Sequence, residues 1–136
     1  MQEQKSLVLI LARDLADKLA SAMFVVDREG SLVYFNEPAE GILGRSFADL
    51  GPMRMHEWAT AFCPIEVDGR PLQLEDLPLV MALRNRQPVH RQLRIKRLDG
   101  EFRDIASTAF PLFTRTDEFE GAAAVFWELP AGESPA

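Results

Sequence analysis

The stretch of residues 24–44 constrains the fold more than any other part of this sequence. An apolar run that ends at Val26 is followed by a polar turn with Gly30, a residue able to adopt positive φ, and then by a second β-rich run that ends at Phe35. Two such runs joined by a short turn predict a β-hairpin. The rest of the chain must be built around this local unit.

Asn36 predicts a helix that starts directly after the hairpin. Asparagine is a strong N-cap, and Pro38 would fall in the first helical turn, where its missing N–H would be unpaired anyway. Gly41 and Gly44 follow within a few residues and limit the helix to a short one. A hairpin therefore runs straight into a brief, capped helix.

Size and charge narrow the class of protein. A chain of 136 residues favours one domain, and 47% hydrophobic with 26% charged residues is ordinary for a soluble globular protein. A net charge of −6 argues against direct binding of nucleic acid, because a phosphate-binding surface is normally basic. The single cysteine, Cys63, excludes an internal disulfide and fits a reducing cytosol.

Residues 6–20 predict an amphipathic helix, because apolar residues recur there at three- and four-residue spacing opposite a charged face. The run 7–12 is apolar nearly all round and leaves a strand as the alternative. It is too short to cross a bilayer, which takes about 20 apolar residues. No leader pattern surrounds it. We therefore expect a cytoplasmic protein without a membrane span.

The remaining elements follow from turn signals and periodicity. Residues 45–57 read as a loop with single helical turns at SFADL and MHEWATAF, and residues 64–71 as a turn around Asp68-Gly69. Residues 76–86 predict a helix with Pro78 in its first turn. Residues 89–98, 102–112 and 119–129 predict three strands, and residues 130–136 a disordered tail.

Two strands, then helices, then three strands are the order of an α+β domain with one antiparallel sheet. The segments that carry this order are VVDREGSLVYFNEPAEGILGRSF, LPLVMALRNRQPV, RIKRLDGEFRDIASTAFPL and EGAAAVFWEL. Together they resemble a PAS domain of the bacterial sensory and signalling kind. The resemblance covers residues 22–129 and leaves residues 1–21 as an N-terminal helix that caps the sheet or mediates dimerisation.

The resemblance implies a five-stranded antiparallel sheet with helices on one face, the N-terminal amphipathic helix on the other, and a small cavity between sheet and helices. PAS domains generally bind a cofactor or metabolite there, or act as dimerisation and signal-relay modules. Many continue from the last strand into a signalling helix, whereas Glu128-Leu129-Pro130 stands here. We expect the protein to act alone, to signal through its N-terminal helix, or to be a fragment.

Two departures bear on the cofactor, which stays unknown. The light-oxygen-voltage flavin class has a reactive cysteine in an Asn-Cys-Arg-Phe-Leu-Gln motif, and the corresponding stretch here, GRSFA, has none. Haem-binding PAS domains often place a histidine on the long helix before the last three strands, and residues 76–86 contain none. A haem sensor therefore remains only an alternative.

Strand parity predicts which residues line the cavity. The small inward residues of the last two strands leave a space for a ligand, or for helix side chains such as Leu79 and Phe62. Arg91 shares this parity and needs a partner, which could be an internal carboxylate or an anionic ligand, unless its head reaches water. The predicted lining is Arg91, Leu93, Ile95, Ser107, Ala109, Ala122, Ala124, Phe126, Trp58 and Leu83.

The opposite parity predicts an adhesive outer face that the N-terminal helix covers. The apolar start of that helix favours helix–helix contact in a homodimer. The residues expected in helix docking and dimerisation are Val8, Leu11, Leu15, Leu19, Phe110, Val125 and Trp127.

No catalytic or metal site is predicted. His90 has the parity of a solvent-facing residue, His56 reads as a surface or capping residue, and Cys63 as a buried thiol. His56 and Cys63 together are two candidate ligands, which are too few for a zinc site. The prediction is a non-catalytic sensory or regulatory domain with a signalling partner or small-molecule ligand. A ligand-free interaction module and, with less support, a small α+β enzyme or binding protein are the alternatives.

Overall fold

The computed structural model describes residues 7–62, 64–97, 99–114 and 117–130. The helices are α1 Leu7–Ala16, α2 Glu37–Leu43, α3 Phe47–Leu50, α4 Met55–Ala61 and α5 Pro78–Asn85, with a 3₁₀ turn at Leu74–Asp76. The strands are β1 Ala22–Asp27, β2 Leu32–Phe35, β3 Val89–Lys96, β4 Phe102–Phe113 and β5 Phe119–Glu128.

The five strands form one sheet in the order β2-β1-β5-β4-β3, and all of its pairs are antiparallel. This confirms the predicted α+β fold. Where β1 and β5 pair, Gly121 lies opposite Asp27, and a Cβ on Gly121 would be 2.3 Å from the carbonyl oxygen of Val26. Only glycine permits that approach.

The hairpin and its helix are confirmed as well. Gly30 has φ 85° in the turn between β1 and β2. The Oδ1 of Asn36 accepts a hydrogen bond from the backbone N of Ala39 at 3.2 Å, which is the expected N-cap. Gly44 ends α2 in the left-handed conformation, with φ 91°.

Helices α2 to α5 and the inner face of the sheet enclose the larger core cluster, which contains Phe24, Phe35 and Trp58. Helix α1 packs on the outer face in a second, smaller cluster. The two-sided arrangement agrees with the prediction.

The face of α1 that touches the sheet is not the one predicted. Ala12 and Ala16 are buried against Met23, Val25 and Ala123. These small side chains let the helix approach the sheet closely, where leucines would hold it away. Of the predicted docking residues of α1 and its turn, Leu19 packs partly buried in this cluster and Val8 is half-buried, whereas Leu11 and Leu15 are 57% and 51% exposed.

Two helices are shorter than predicted, and the strand alternative for residues 7–12 is wrong, since they belong to α1. Helix α1 ends at Ala16 instead of residue 20. The predicted helix 76–86 is divided into the 3₁₀ turn and α5. Leu77 between them is extended, with ψ 136°, because a residue before proline is pushed out of the helical region.

Cys63 and residues 131–136 lie outside the described residues, so the predictions of a buried thiol and a disordered tail stay predictions. Within the described part of the chain, no helix is both long and apolar enough to span a membrane.

Candidate functional site

A pocket of about 80 Å³ lies between the inner face of the sheet and the helices. The sheet contributes side chains from β1, β3, β4 and β5, and the helical side contributes side chains from α2, α4, α5 and the segment before α5. Six of the predicted cavity residues line it: Leu93, Ile95, Ser107, Ala124, Phe126 and Trp58.

Four predicted residues do not line the pocket. Ala109 and Ala122 are fully buried in the same core, Leu83 packs against that core, and Arg91 points to a neighbouring segment. Pro64, Leu77 and Pro78 also form part of the wall and are not among the predicted lining residues. Pro64 lies in the loop after α4, and Leu77 and Pro78 lie where α5 begins, so strand parity says nothing about them.

Contacts between aromatic rings fix side chains of the pocket wall in place. The ring of Phe24 stacks on that of Phe35 at 5.9 Å and meets the edge of Trp58 at 5.3 Å. The indole Nε1 of Trp58 donates a hydrogen bond to the carbonyl oxygen of Gly30 at 2.9 Å. The polar atom of the tryptophan is thus used inside the protein, and its ring presents an apolar surface.

Ser107 is also a lining residue of the pocket. It lies on β4 opposite Arg91 of β3 and Phe126 of β5, and its exposed fraction is 5%. A serine hydroxyl can donate one hydrogen bond and accept others. Among the lining residues that the structure describes, Ser107 is the one whose side chain ends in a polar group.

Arg91 holds the segment that forms one wall of the pocket. Its Nη2 lies 2.5 Å from Oε1 of Glu66, and its Nη1 donates to the carbonyl oxygen of Asp76 at 3.2 Å. Glu66 follows Pro64 by two residues, and Asp76 directly precedes Leu77. Of the alternatives for Arg91, the structure therefore shows the internal carboxylate.

Backbone hydrogen bonds fix the same segment to the edge of the sheet. The N–H of Ile65 donates to the carbonyl oxygen of Arg94 at 2.8 Å, and the N–H of Arg94 donates back at 2.9 Å. The N–H of Lys96 donates to the carbonyl oxygen of Phe62 at 2.8 Å. Side-chain and backbone contacts thus close the segment over the pocket.

The two histidines lie away from the pocket. His90 is exposed on the outer face, where its Nδ1 is 2.8 Å from Oγ1 of Thr108 and its ring is 6.0 Å from that of Trp127. His56 is exposed on α4. Within the residues described here, no three histidine, cysteine or acidic side chains gather as metal ligands would.

Asn36 joins the pocket side of the fold to the N-terminal helix. Its Nδ2 donates to the carbonyl oxygens of Ala16 at 2.8 Å and Ser21 at 2.9 Å. Its Oδ1 accepts from the N–H groups of Met23 at 3.0 Å and Ala39 at 3.2 Å. One buried amide therefore holds the end of α1, the start of β1 and the first turn of α2.

Tyr34 makes a second contact with α1. Its hydroxyl donates a hydrogen bond to Asp17, and the guanidinium of Arg13 lies 4.4 Å from the centre of its ring. Burial of the hydroxyl is the largest cause that raises the pKa of Tyr34 to about 12, followed by the hydrogen bond to Asp17 and the charge of that carboxylate.

The outward side of α1 is apolar. Leu7, Ile10, Leu11 and Leu15 are each about half exposed or more, at 66%, 48%, 57% and 51%. We call these four residues the α1 strip. On the sheet itself, Phe110 and Val125 pack partly buried beside α1, whereas Trp127 is 43% exposed.

The sequence matches no protein-family model and no curated protein, whereas solved structures resemble the chain over most of its length. The PAS domain of a protein from Colwellia psychrerythraea has a TM-score of 0.63 at 18% identity and covers 90% of this chain and 97% of its own. A LOV protein from Rhodobacter sphaeroides has a TM-score of 0.65 at 18% identity, with coverage of 88% and 66%.

The PAS domain of nitrogen regulation protein NR(II) from Vibrio parahaemolyticus has a TM-score of 0.60 at 14% identity and covers 92% of this chain and 100% of its own. At such low sequence identity, the structural similarity establishes the fold and does not establish a function. The fold is nevertheless the one that the order of elements predicts from the sequence. The chain therefore has the fold of a PAS domain.

Proposed function

We propose that this chain is a non-catalytic sensory or regulatory domain that binds a small ligand in the inner pocket and relays the binding through a homodimer formed by α1. The observation that carries the proposal is the position of two apolar surfaces on opposite faces of one sheet. The pocket lies on the inner face, and the α1 strip points outward from the outer face.

The structural resemblance supports the regulatory part of the proposal. Similar structures include PAS domains of a two-component sensor histidine kinase and of a nitrogen regulation protein. In a domain that relays a signal, a ligand can shift the equilibrium only by binding one conformation better than another. Here the sheet is the element that contacts both the pocket and α1.

The α1 strip supports the homodimer. Four large apolar side chains on one short helix lose contact with water when they pack against a second copy, and burial of the exposed half of each contributes roughly 1 kcal/mol. The strip alone is smaller than a stable interface of about 800 Å² per partner, so we expect the neighbouring outer face near Trp127 to take part.

One observation favours a second function. The pocket is small, and much of the core is filled by side chains of the protein itself, among them Phe24, Phe35 and Trp58. A domain whose core needs no ligand would act as a ligand-free interaction or dimerisation module. A haem sensor has less support, since the pocket described above is small and α5 contains no histidine.

The dimer is tested by sedimentation of the wild type and Leu11→Glu. We expect the wild type to be a dimer and Leu11→Glu to be a monomer with an unchanged circular dichroism spectrum, because a carboxylate at the centre of the α1 strip would be buried without a partner. Gln87→Glu, an equal change of charge at an exposed turn residue, is the control and should remain a dimer. A monomeric wild type, or a dimeric Leu11→Glu, would contradict the proposal.

A further inference from the structure

The size of the pocket limits what it can bind. Its volume is about 80 Å³, whereas pockets that enclose drug-sized ligands measure roughly 300–1,000 Å³. A cavity needs about 10–15 Å³ of such space to hold one water molecule, so the pocket has room for a small molecule of several non-hydrogen atoms. A flavin or a haem does not fit unless the helices move apart.

The charge of the lining limits the ligand further. A buried ion is costly unless it is paired, and the described lining residues carry no ionised side chain. Arg91, the cation on the same face of β3, is paired with Glu66 and bonded to the carbonyl oxygen of Asp76. Recruiting it would leave the Glu66 carboxylate without its partner. The pocket therefore favours an uncharged molecule.

Ser107 determines which polar group a ligand in the pocket can use for a hydrogen bond. The indole N–H of Trp58 is taken by Gly30, so the hydroxyl of Ser107 is the side-chain group in the described lining that can bond to a guest. Phe126, Leu93 and Ile105 line the same pocket with phenyl and aliphatic groups. A ligand that has one hydroxyl or carbonyl group and is otherwise apolar matches the lining of the pocket.

Small side chains beside Ser107 create the space. Ala124 lies on β5, next to β4, and lines the same pocket. Leucine at that position would add three carbon atoms to the wall of a pocket that measures only about 80 Å³. The space therefore depends on residue 124 and can be removed by a single substitution.

We propose that the pocket takes a small, uncharged, mostly apolar molecule, of the class of short-chain alcohols and aldehydes, whose one polar group hydrogen-bonds to Ser107. This inference rests on the proposed function, because it names the class of ligand for the same pocket. The inference is narrower than the proposed function. A sensory domain with a large or charged ligand would agree with the proposed function but would contradict the inference.

The experiment uses the full chain labelled with ¹⁵N and three four-carbon probes: 1-butanol, butyrate and n-butylammonium. We expect 1-butanol to give saturable shifts of amide signals from β4, β5 and α4, and the two ions to give none. Equal binding of butyrate or butylammonium, or no binding of 1-butanol, would overturn the proposal.

Three variants assign the binding to the pocket and to its hydroxyl. Ser107→Ala should weaken 1-butanol about 2- to 10-fold, the loss expected for one neutral hydrogen bond. Ala124→Leu should abolish binding by filling the space. Thr108→Val removes the neighbouring hydroxyl on the outer face and should leave binding unchanged. An unaltered affinity in Ser107→Ala would refute the role of its hydroxyl.

Native mass spectrometry of the purified protein, compared with its denatured mass, separates this inference from the proposed function. A large or charged ligand found in the folded protein would overturn the inference and retain the sensory function. A folded protein that carries no ligand and binds none of the three probes would overturn both, and would favour the ligand-free interaction module.

Discussion

At the scale of single residues, Asn36 does more than cap a helix. Its buried amide uses both its donor and its acceptor groups, and the four hydrogen bonds end on α1, on the turn after it, on β1 and on α2. The N-cap is predictable from the local sequence, since it depends on Asn36 and Pro38 alone. The bonds to Ala16 and Ser21 are not, because they depend on how α1 packs.

Asn36→Asp tests this network, because it replaces the donating Nδ2 by an oxygen of nearly the same size. The carbonyl oxygens of Ala16 and Ser21 would lose their donor and face a negative charge, so we expect a loss of about 2–4 kcal/mol of unfolding free energy. The measurement is urea denaturation. Asn85→Asp, the same change at an exposed end of α5, is the control. Equal denaturation midpoints for both variants would contradict the network.

Tyr34 gives a direct readout of α1 docking, because it is the only tyrosine of the chain. Its pKa is raised from 10.0 to about 12 in the folded protein. The folded state thus holds the proton more tightly than the unfolded chain, and this contribution to stability is complete below pH 10 and is lost as the pH rises through about 12.

Tyrosinate absorbance near pH 11 measures the effect. The unfolded chain in urea should be about nine-tenths ionised at that pH, and the folded protein should be mostly neutral. Asp17→Asn should increase ionisation in the folded protein, because it removes the carboxylate that accepts the hydrogen bond. Asp14→Asn, which affects an exposed pair with Lys18, should not. Identical ionisation of folded and unfolded protein would contradict the docked position of Tyr34.

At the scale of elements, local signals are enough for the hairpin, the short helix and the strands. The docked face of α1 is not predictable in this way. Its first residues are apolar nearly all round, so the pattern contains no single stripe. Ala12 and Ala16 form the contact because they pack closely on Met23 and Val25. The docked face therefore depends on the shape of the sheet surface, which the sequence of the helix does not reveal.

The segment between α4 and α5 is the element that the sequence describes least, and Arg91 is its side-chain attachment to the sheet. We expect Arg91→Ala to speed amide hydrogen exchange in residues 64–77, because the ties to Glu66 and Asp76 would be lost. Arg94→Ala removes a comparable pair with Asp104 on the outward face of the same strand and is the control. Equal exchange of the segment in the two variants would show that the backbone bonds suffice to close it.

At the scale of the whole molecule, one sheet separates the two surfaces on which the account depends. The pocket and Ser107 lie on its inner face, and α1 with its exposed apolar strip lies on the outer face. Asn36 and Tyr34 connect the sheet and α2 to α1. This arrangement could be anticipated from the order of elements, whereas the size of the pocket could not, because it depends on packing among helices, loop and sheet.

Coupling between the pocket and the α1 strip is tested by the dimer dissociation constant from sedimentation equilibrium, measured with and without saturating 1-butanol. If the pocket and the α1 strip are coupled through the sheet, occupancy should change the constant by about 5-fold or more, the lower end of typical allosteric coupling. An unchanged dissociation constant, while amide shifts show that the pocket is occupied, would contradict the account.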